Sequence, residues 1–252
     1  MSDLSTPVLA VLTTAILILG YVAARSIVAL ADSHRLELSD KWWNPTCTEC
    51  GGPLDWAMYR CRPGRHRQRT VNAVIVVATP LVFLGVSVSL ASLWLIPGYL
   101  VFAYSMVLLT VTDLDTKLIP NRMLFPLTGV GAVLLTIGGL IDGELVSLGR
   151  AALGGVIYFG AMFVLALIAR GALGFGDVKL AFMIGLFAGY LGWGHLGIAA
   201  LGSFILGGVI SLLLLATRRV GRKDSIPFGP FMTAAAIIAV IWGDAIVDFY
   251  LR

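Results

Sequence analysis

The chain has 252 residues, of which 58% are hydrophobic and only 13% charged, against about 25% charged in ordinary soluble domains. This composition excludes a soluble domain and predicts an integral membrane protein. The apolar runs exceed the ~9–11 residues of a barrel strand, so the spans are expected to be helical. The net charge of +4 is attributed to topology rather than to a nucleic-acid partner, because Lys and Arg collect on the cytoplasmic side of membranes.

Long apolar runs predict eight transmembrane helices in an all-α fold, at residues 7–30, 72–96, 98–112, 123–141, 149–169, 178–193, 196–217 and 228–250. The first run is interpreted as a retained span, because residues 1–6 lack the positive charge that begins a signal peptide. Residues 72–112 are too long for one span and are divided at Trp94–Gly98, where Pro and Gly indicate a turn. The third and sixth spans are expected to be short, about 15 residues each.

The distribution of basic residues predicts the orientation of these spans. With the N-terminus outside, only Arg150 and Arg252 of the 18 Lys and Arg residues fall in outside segments. The positive-inside rule therefore places both termini outside. The predicted organisation is a first transmembrane helix in 1–30, a cytoplasmic cysteine-containing loop in 31–71 and a seven-helix membrane core in 72–252.

Two aspartates lie where an apolar run meets a basic loop, Asp113 in Thr-Asp-Leu-Asp-Thr-Lys and Asp177 in Gly-Phe-Gly-Asp-Val-Lys. Carboxylates at membrane borders are costly and mark chemistry by default. One predicted helical hairpin separates the two and returns them to the same membrane face, where a carboxylate pair can share a proton and activate water. The alternative is that both are helix caps facing water. Asp115 is expected to be a solvated neighbour, because residues two apart on a helix do not share a face.

Helix-breaking residues accompany both aspartates. Pro120 cannot continue a helix and disfavours helix at the residue before it, so it predicts a break after the third span. Gly174 and Gly176 allow the backbone to approach closely before Asp177. Lys179 has two interpretations, a cation that favours ionisation of the pair and a lysine that snorkels to the membrane interface; the second is preferred.

Three segments in this order resemble landmarks of the type 4 prepilin leader peptidases: 113–121, 174–179 and 226–231. The resemblance extends from about residue 45 to the C-terminus. Gly-x-Gly-Asp alone is a weak signal, since presenilin-like intramembrane proteases share it, and the three segments together are specific. The motif residues that support the resemblance are Pro120, Asn121, Gly174, Gly176, Lys179, Pro227 and Gly229.

The resemblance implies an aspartic endopeptidase of the bacterial inner membrane whose active site faces the cytoplasm. Asp113 and Asp177 match the family's catalytic aspartates, and the proteolysis needs no cofactor. The expected substrates are prepilins or pseudopilins of type IV pilus or type II secretion systems. Their short basic leader is cut after a Gly, before the hydrophobic helix of the mature subunit. The lipid bilayer is the other expected partner, and the oligomeric state is not indicated.

The loop after the first span contains Cys47, Cys50 and Cys61. Many members of the family carry two Cys-x-x-Cys pairs there, and this chain has one pair and a single third cysteine. His66 is the preferred fourth ligand of a structural Cys3His zinc site, and His34 is a less favoured substitute. The competing interpretation is a loop with three free thiols and no metal.

Bifunctional members of the family also N-methylate the new N-terminus with S-adenosylmethionine. Gly20–Arg25 resembles their N-terminal motif only faintly, so methylation is left open. The alternative function is a non-enzymatic membrane transporter or a secretion or pilus assembly factor. A transporter predicts ionisable residues near mid-span, whereas the charges of this chain lie at span ends.

Overall fold

A computed structural model of the chain describes residues 6–36, 70–169, 173–218 and 226–251. Over these ranges the chain is helical and contains no strand. One 3-10 turn covers Leu93–Leu95. The α-helices are α1 (Thr6–Leu36), α2 (Thr70–Ser89), α3 (Ile96–Thr116), α4 (Asn121–Ile141), α5 (Leu145–Ile168), α6 (Phe175–Leu191), α7 (Trp193–Ala216) and α8 (Gly229–Leu251).

The predicted all-α membrane fold is confirmed. Each of the eight predicted spans coincides for most of its length with one helix. Within the described ranges, seven helices are long and apolar enough to cross a membrane. The remaining helix, α6, has 17 residues, somewhat fewer than the ~20 of a typical span. The sixth run is therefore short, as predicted, but the third is not, because α3 has 21 residues.

The break between α2 and α3 comes earlier than predicted. α2 ends at Ser89, and Ser92 begins a 3-10 turn by accepting a hydrogen bond from the backbone N–H of Trp94 at 3.2 Å. Pro97 lies inside the first turn of α3. Proline is well tolerated there, because the first N–H groups of a helix have no partner within it. The prediction was wrong in placing Pro97 in the turn between two spans.

The chain divides into two compact units, Met1–Val88 and Ser89–Arg252. Within the first unit, α1 and α2 come into close contact at a glycine. A Cβ atom added to Gly20 would lie 2.6 Å from Cα of Pro80. Pro80 lies inside α2 without ending it, which membrane helices permit more readily than soluble ones.

The centre of the second unit is formed by α3 and α6. Tyr99 and Phe102 of α3 pack on Phe187 of α6, with ring centroids 5.2 and 4.6 Å from that of Phe187. The Tyr99 hydroxyl donates a hydrogen bond to the Phe187 carbonyl oxygen at 2.8 Å, and all three side chains are fully buried. Helices α4 and α8 pack on α3, and α4, α5, α7 and α8 pack on α6. The two helices that carry the conspicuous aspartates are therefore the core helices of this unit.

Glycines bring α5 and α6 into backbone contact. A Cβ atom on Gly154 would lie 2.6 Å from the carbonyl oxygen of Gly185. Small residues at such positions let membrane helices approach closely and gain van der Waals contact. This contact fixes α6, and with it Asp177, against α5.

Replacing Gly154 by alanine is expected to lower stability by about 1–3 kcal/mol, because the added methyl group meets backbone that cannot rotate away. The matched control is Gly160→Ala in the same helix, where an added Cβ would have no neighbour within 4 Å. Thermal unfolding of both variants in detergent measures the difference. Equal unfolding temperatures for the two variants would contradict this account of the α5–α6 contact.

Candidate active site

Asp113 lies in the last turn of α3 and is only 4% exposed. The helix ends just beyond it because Lys117 adopts a left-handed conformation, with φ 54°, while its N–H donates to the Asp113 carbonyl oxygen at 2.8 Å. Pro120 is extended and precedes the first residue of α4. The predicted break after the third span therefore occurs at 117–120, and it places Asp113 at a helix end.

Asp177 lies in the first turn of α6 and is 7% exposed. Its N–H donates to the carbonyl oxygen of Gly174, the extended residue that precedes the helix, at 3.0 Å. Gly176 faces the 117–120 turn, where an added Cβ would lie 2.9 Å from Cβ of Ile119. Glycine at 176 is thus required for the turn after α3 to pack against the start of α6.

These two turns bring the carboxylates of Asp113 and Asp177 within electrostatic range of each other. Asp177 precedes the apolar run of its helix and lies outside the seven spanning segments. Burial, and next to it the negative charge of Asp113, raise the pKa of Asp177 to about 7. A hydrogen bond from the Gly174 backbone opposes part of this rise. Asp177 can therefore hold a proton near neutral pH beside the negative charge of Asp113.

A third helix end completes the site. The backbone N–H of Gly229, the first residue of α8, donates to Oδ2 of Asp113 at 3.0 Å. A Cβ atom at Gly229 would lie 2.5 Å from the same oxygen. Glycine is therefore required for this amide to reach the carboxylate, and the positive N-terminal end of α8 stabilises negative charge on it. Pro227, two residues earlier, belongs to the half-buried segment that leads into α8.

Lys179 points away from the carboxylate pair. Its ammonium donates to Oδ1 of Asn121 at 2.9 Å and lies 4.8 Å from the ring centroid of Phe175 and 5.4 Å from that of Phe125. Lys179 thus links the first turn of α4 to the second turn of α6. These contacts favour the interfacial interpretation over a direct effect on Asp177.

The remaining predicted residues fall into two groups. Asp115 is half-buried, in contrast to the buried Asp113 two positions earlier. Cys47, Cys50, Cys61 and His66 lie outside the described residues, as does the His34 side chain. No cluster of metal-binding side chains occurs in the described part of the chain.

Two features of the site were missed by the sequence analysis. Tyr158 of α5 is buried within electrostatic range of Asp177, and its hydroxyl lies 3.3 Å from Oγ of Ser203 in α7. Thr110 and Thr233 join α3 to α8 through hydroxyl groups 2.6 Å apart, one turn from Asp113. Single hydroxyl groups in apolar helices give no sequence signal of their partners, since Ser and Thr also bond to their own helix backbone.

Similarity to known proteins covers most of the chain. The profile of the type IV leader peptidase family matches residues 100–212. A "Prepilin leader peptidase/N-methyltransferase" of Aeromonas hydrophila is 29% identical over 221 residues, which cover 81% of this chain and 73% of that relative. A protein of the same name from Bacillus subtilis is 30% identical over 194 residues, which cover 77% of this chain and 75% of that relative. No solved structure gives a significant match.

Proposed function

The chain belongs to the type IV leader peptidase family, and we propose that it is a membrane endopeptidase that removes the leader from prepilins through Asp113 and Asp177. The observation that carries this proposal is that two buried carboxylates lie within electrostatic range of each other at the ends of the core helices α3 and α6. The non-enzymatic alternative finds no support in the named relatives, which are peptidases. The cut falls after a glycine, before the hydrophobic helix of a prepilin or pseudopilin.

In the proposed mechanism, Asp113 is ionised and Asp177 is protonated. Asp113 removes a proton from water, whose oxygen attacks the scissile carbonyl carbon, while Asp177 donates a hydrogen bond to the carbonyl oxygen. The Gly229 amide favours charge on Asp113, and burial beside Asp113 favours the proton on Asp177. Collapse of the tetrahedral intermediate breaks the C–N bond, and the proton taken from water passes to the departing amine. The products are a leader carboxylate and a free N-terminus on the mature subunit.

The proposed setting is the bacterial inner membrane, with eight crossings, both termini outside and the carboxylate pair facing the cytoplasm. The basic residues that support this orientation occur on the same predicted side as the pair. They cannot attract a basic leader electrostatically, so the apolar substrate helix and the carboxylates position the substrate.

Two further assignments rest on the sequence and on the names of the relatives. The relatives are named N-methyltransferases as well as peptidases. If this chain retains that activity, S-adenosylmethionine supplies the methyl group. A structural zinc held by Cys47, Cys50, Cys61 and His66 remains a prediction, with three free thiols as its alternative.

Substitution of either aspartate tests the catalytic pair. Asp113→Asn and Asp177→Asn are each expected to reduce prepilin cleavage by at least about 10²-fold. The side-chain amide of Asn can neither accept a proton from water nor take over the role of a protonated carboxyl group. Cleavage is measured with membranes that contain equal amounts of each variant. Asp115→Asn is the matched control and is expected to cleave normally. Near-normal cleavage by either test variant, beside an active wild type, would exclude this mechanism.

The pH dependence tests the protonation states. A raised pKa keeps Asp177 protonated up to about pH 7, and it then ionises as the pH rises further. Above that pKa, kcat/KM is expected to fall about tenfold per pH unit, because the hydrogen-bond donor to the scissile carbonyl is lost. Unfolding temperatures over the same range show whether the fold persists. A rate that stays constant or increases up to about pH 9 would contradict the assigned role of Asp177.

Gly229→Ala tests whether the contact between the start of α8 and the Asp113 carboxylate positions that carboxylate for the reaction. The added methyl group must displace the Asp113 carboxylate, and a displacement of about 1 Å can reduce kcat about 10²-fold while KM changes little. Gly208→Ala in α7 is the matched control, because a Cβ there would have no neighbour within 4 Å. Full kcat in Gly229→Ala would show that the contact between Gly229 and Asp113 does not position the carboxylate for the reaction.

A further inference from the structure

A mostly apolar groove lies on the face of α6 opposite to Asp177. This groove of about 300 Å³ runs between α4, α5 and α6 and is lined by Leu124, Phe125, Thr128, Val156, Phe159, Lys179 and Phe182. Among the described residues that line the groove, Lys179 is the single charged one. The Thr128 hydroxyl donates a hydrogen bond to the Leu124 carbonyl oxygen at 2.7 Å within its own helix. This hydroxyl therefore does not require a hydrogen-bond acceptor in the groove. The groove is thus apolar with one cation.

The cation lies at one end of the groove. Lys179 bonds to Asn121, the first residue of α4 and of its spanning segment. Its ammonium has three donors, and Asn121 accepts from one of them. Arg122, exposed beside Asn121, adds a second positive charge to the same helix end. Two cations near the starts of α4 and α6 are therefore available to an anionic group at the membrane border.

The length of the groove decides between two kinds of apolar occupant. From Asn121 to Thr128, α4 rises about 10 Å, less than the ~15 Å depth of one leaflet's hydrocarbon. A substrate helix that crosses the membrane requires apolar contact over about 30 Å. An acyl chain occupies a single leaflet and fits the shorter groove. Exposed apolar side chains at its edges, Phe125 and Val156 at 56% and 60% exposure, are consistent with a groove open to lipid.

We propose that this groove binds one anionic phospholipid, with its phosphate at Lys179 and Arg122 and an acyl chain between α4, α5 and α6. Each part of the ligand meets its chemical complement, since the phosphate accepts hydrogen bonds from cationic donors and the acyl chain contacts Phe125, Phe159 and Phe182. The site is separate from the carboxylate pair, because residues two apart on a helix point in nearly opposite directions.

Native mass spectrometry of the purified full chain in detergent tests the site with added phosphatidylglycerol, and with phosphatidylethanolamine for comparison. Lys179→Gln is expected to weaken phosphatidylglycerol binding about fivefold, the effect of one basic residue near an anionic lipid surface. Thr128→Trp is expected to weaken binding of both lipids, because the indole fills the groove. Arg218→Gln, which removes an exposed cation at the end of α7, is the control and is expected to bind like the wild type.

Three outcomes would overturn the proposal. Lys179→Gln could bind phosphatidylglycerol as tightly as the wild type. Arg218→Gln could lose as much binding as Lys179→Gln, which would indicate non-specific attraction between charges. Thr128→Trp could leave lipid binding intact and raise the KM for a prepilin, which would assign the groove to the substrate helix. Since lipid binding is measured without any cleavage, failure of this proposal and failure of the proposed peptidase mechanism are distinguishable.

Discussion

Negative charge is costly inside a packed apolar bundle, and the buried carboxylates of Asp113 and Asp177 impose this cost on the second unit. Backbone amides at helix ends reduce it. Gly229 at the start of α8 donates to Asp113, and the Gly174 backbone interacts with Asp177 at the start of α6. Both donors belong to glycines, so no side chain lies between the amide and the carboxylate. The breaks in the helices around the site are therefore a condition for keeping the pair buried.

The position of the pair on core helices holds its geometry fixed. Stacking of Phe102 on Phe187 and the bond from Tyr99 to the Phe187 carbonyl hold α3 against α6, while Gly154 and Gly185 hold α6 against α5. A catalytic pair must keep its geometry within a fraction of an ångström. Carboxylates at the ends of such well-packed helices are held more rigidly than carboxylates on exposed loops would be.

The first turns of α6 separate two environments. Asp177 faces inward, within electrostatic range of Asp113, whereas Lys179 faces outward to Asn121 and two aromatic rings. A helical rotation of about 100° per residue places side chains two positions apart on nearly opposite faces. One short motif can thus contribute a carboxylate to the protein interior and a cation to the membrane border.

The sequence by itself determined the membrane class, the helical fold and the order of the helices, and it singled out the two aspartates, because hydropathy, helix breakers and motif order are local properties of the chain. It placed the break between α2 and α3 too late in the chain, since Pro97 is compatible with both a turn and the first turn of a helix. The sequence also identified Gly229 and Lys179 as motif residues, but it did not indicate which residues they contact. Only the tertiary structure decided that the Gly229 amide contacts Asp113 and that Lys179 contacts Asn121. These contacts join residues 116 and 58 positions apart, and such pairings depend on how the helices pack rather than on any local pattern.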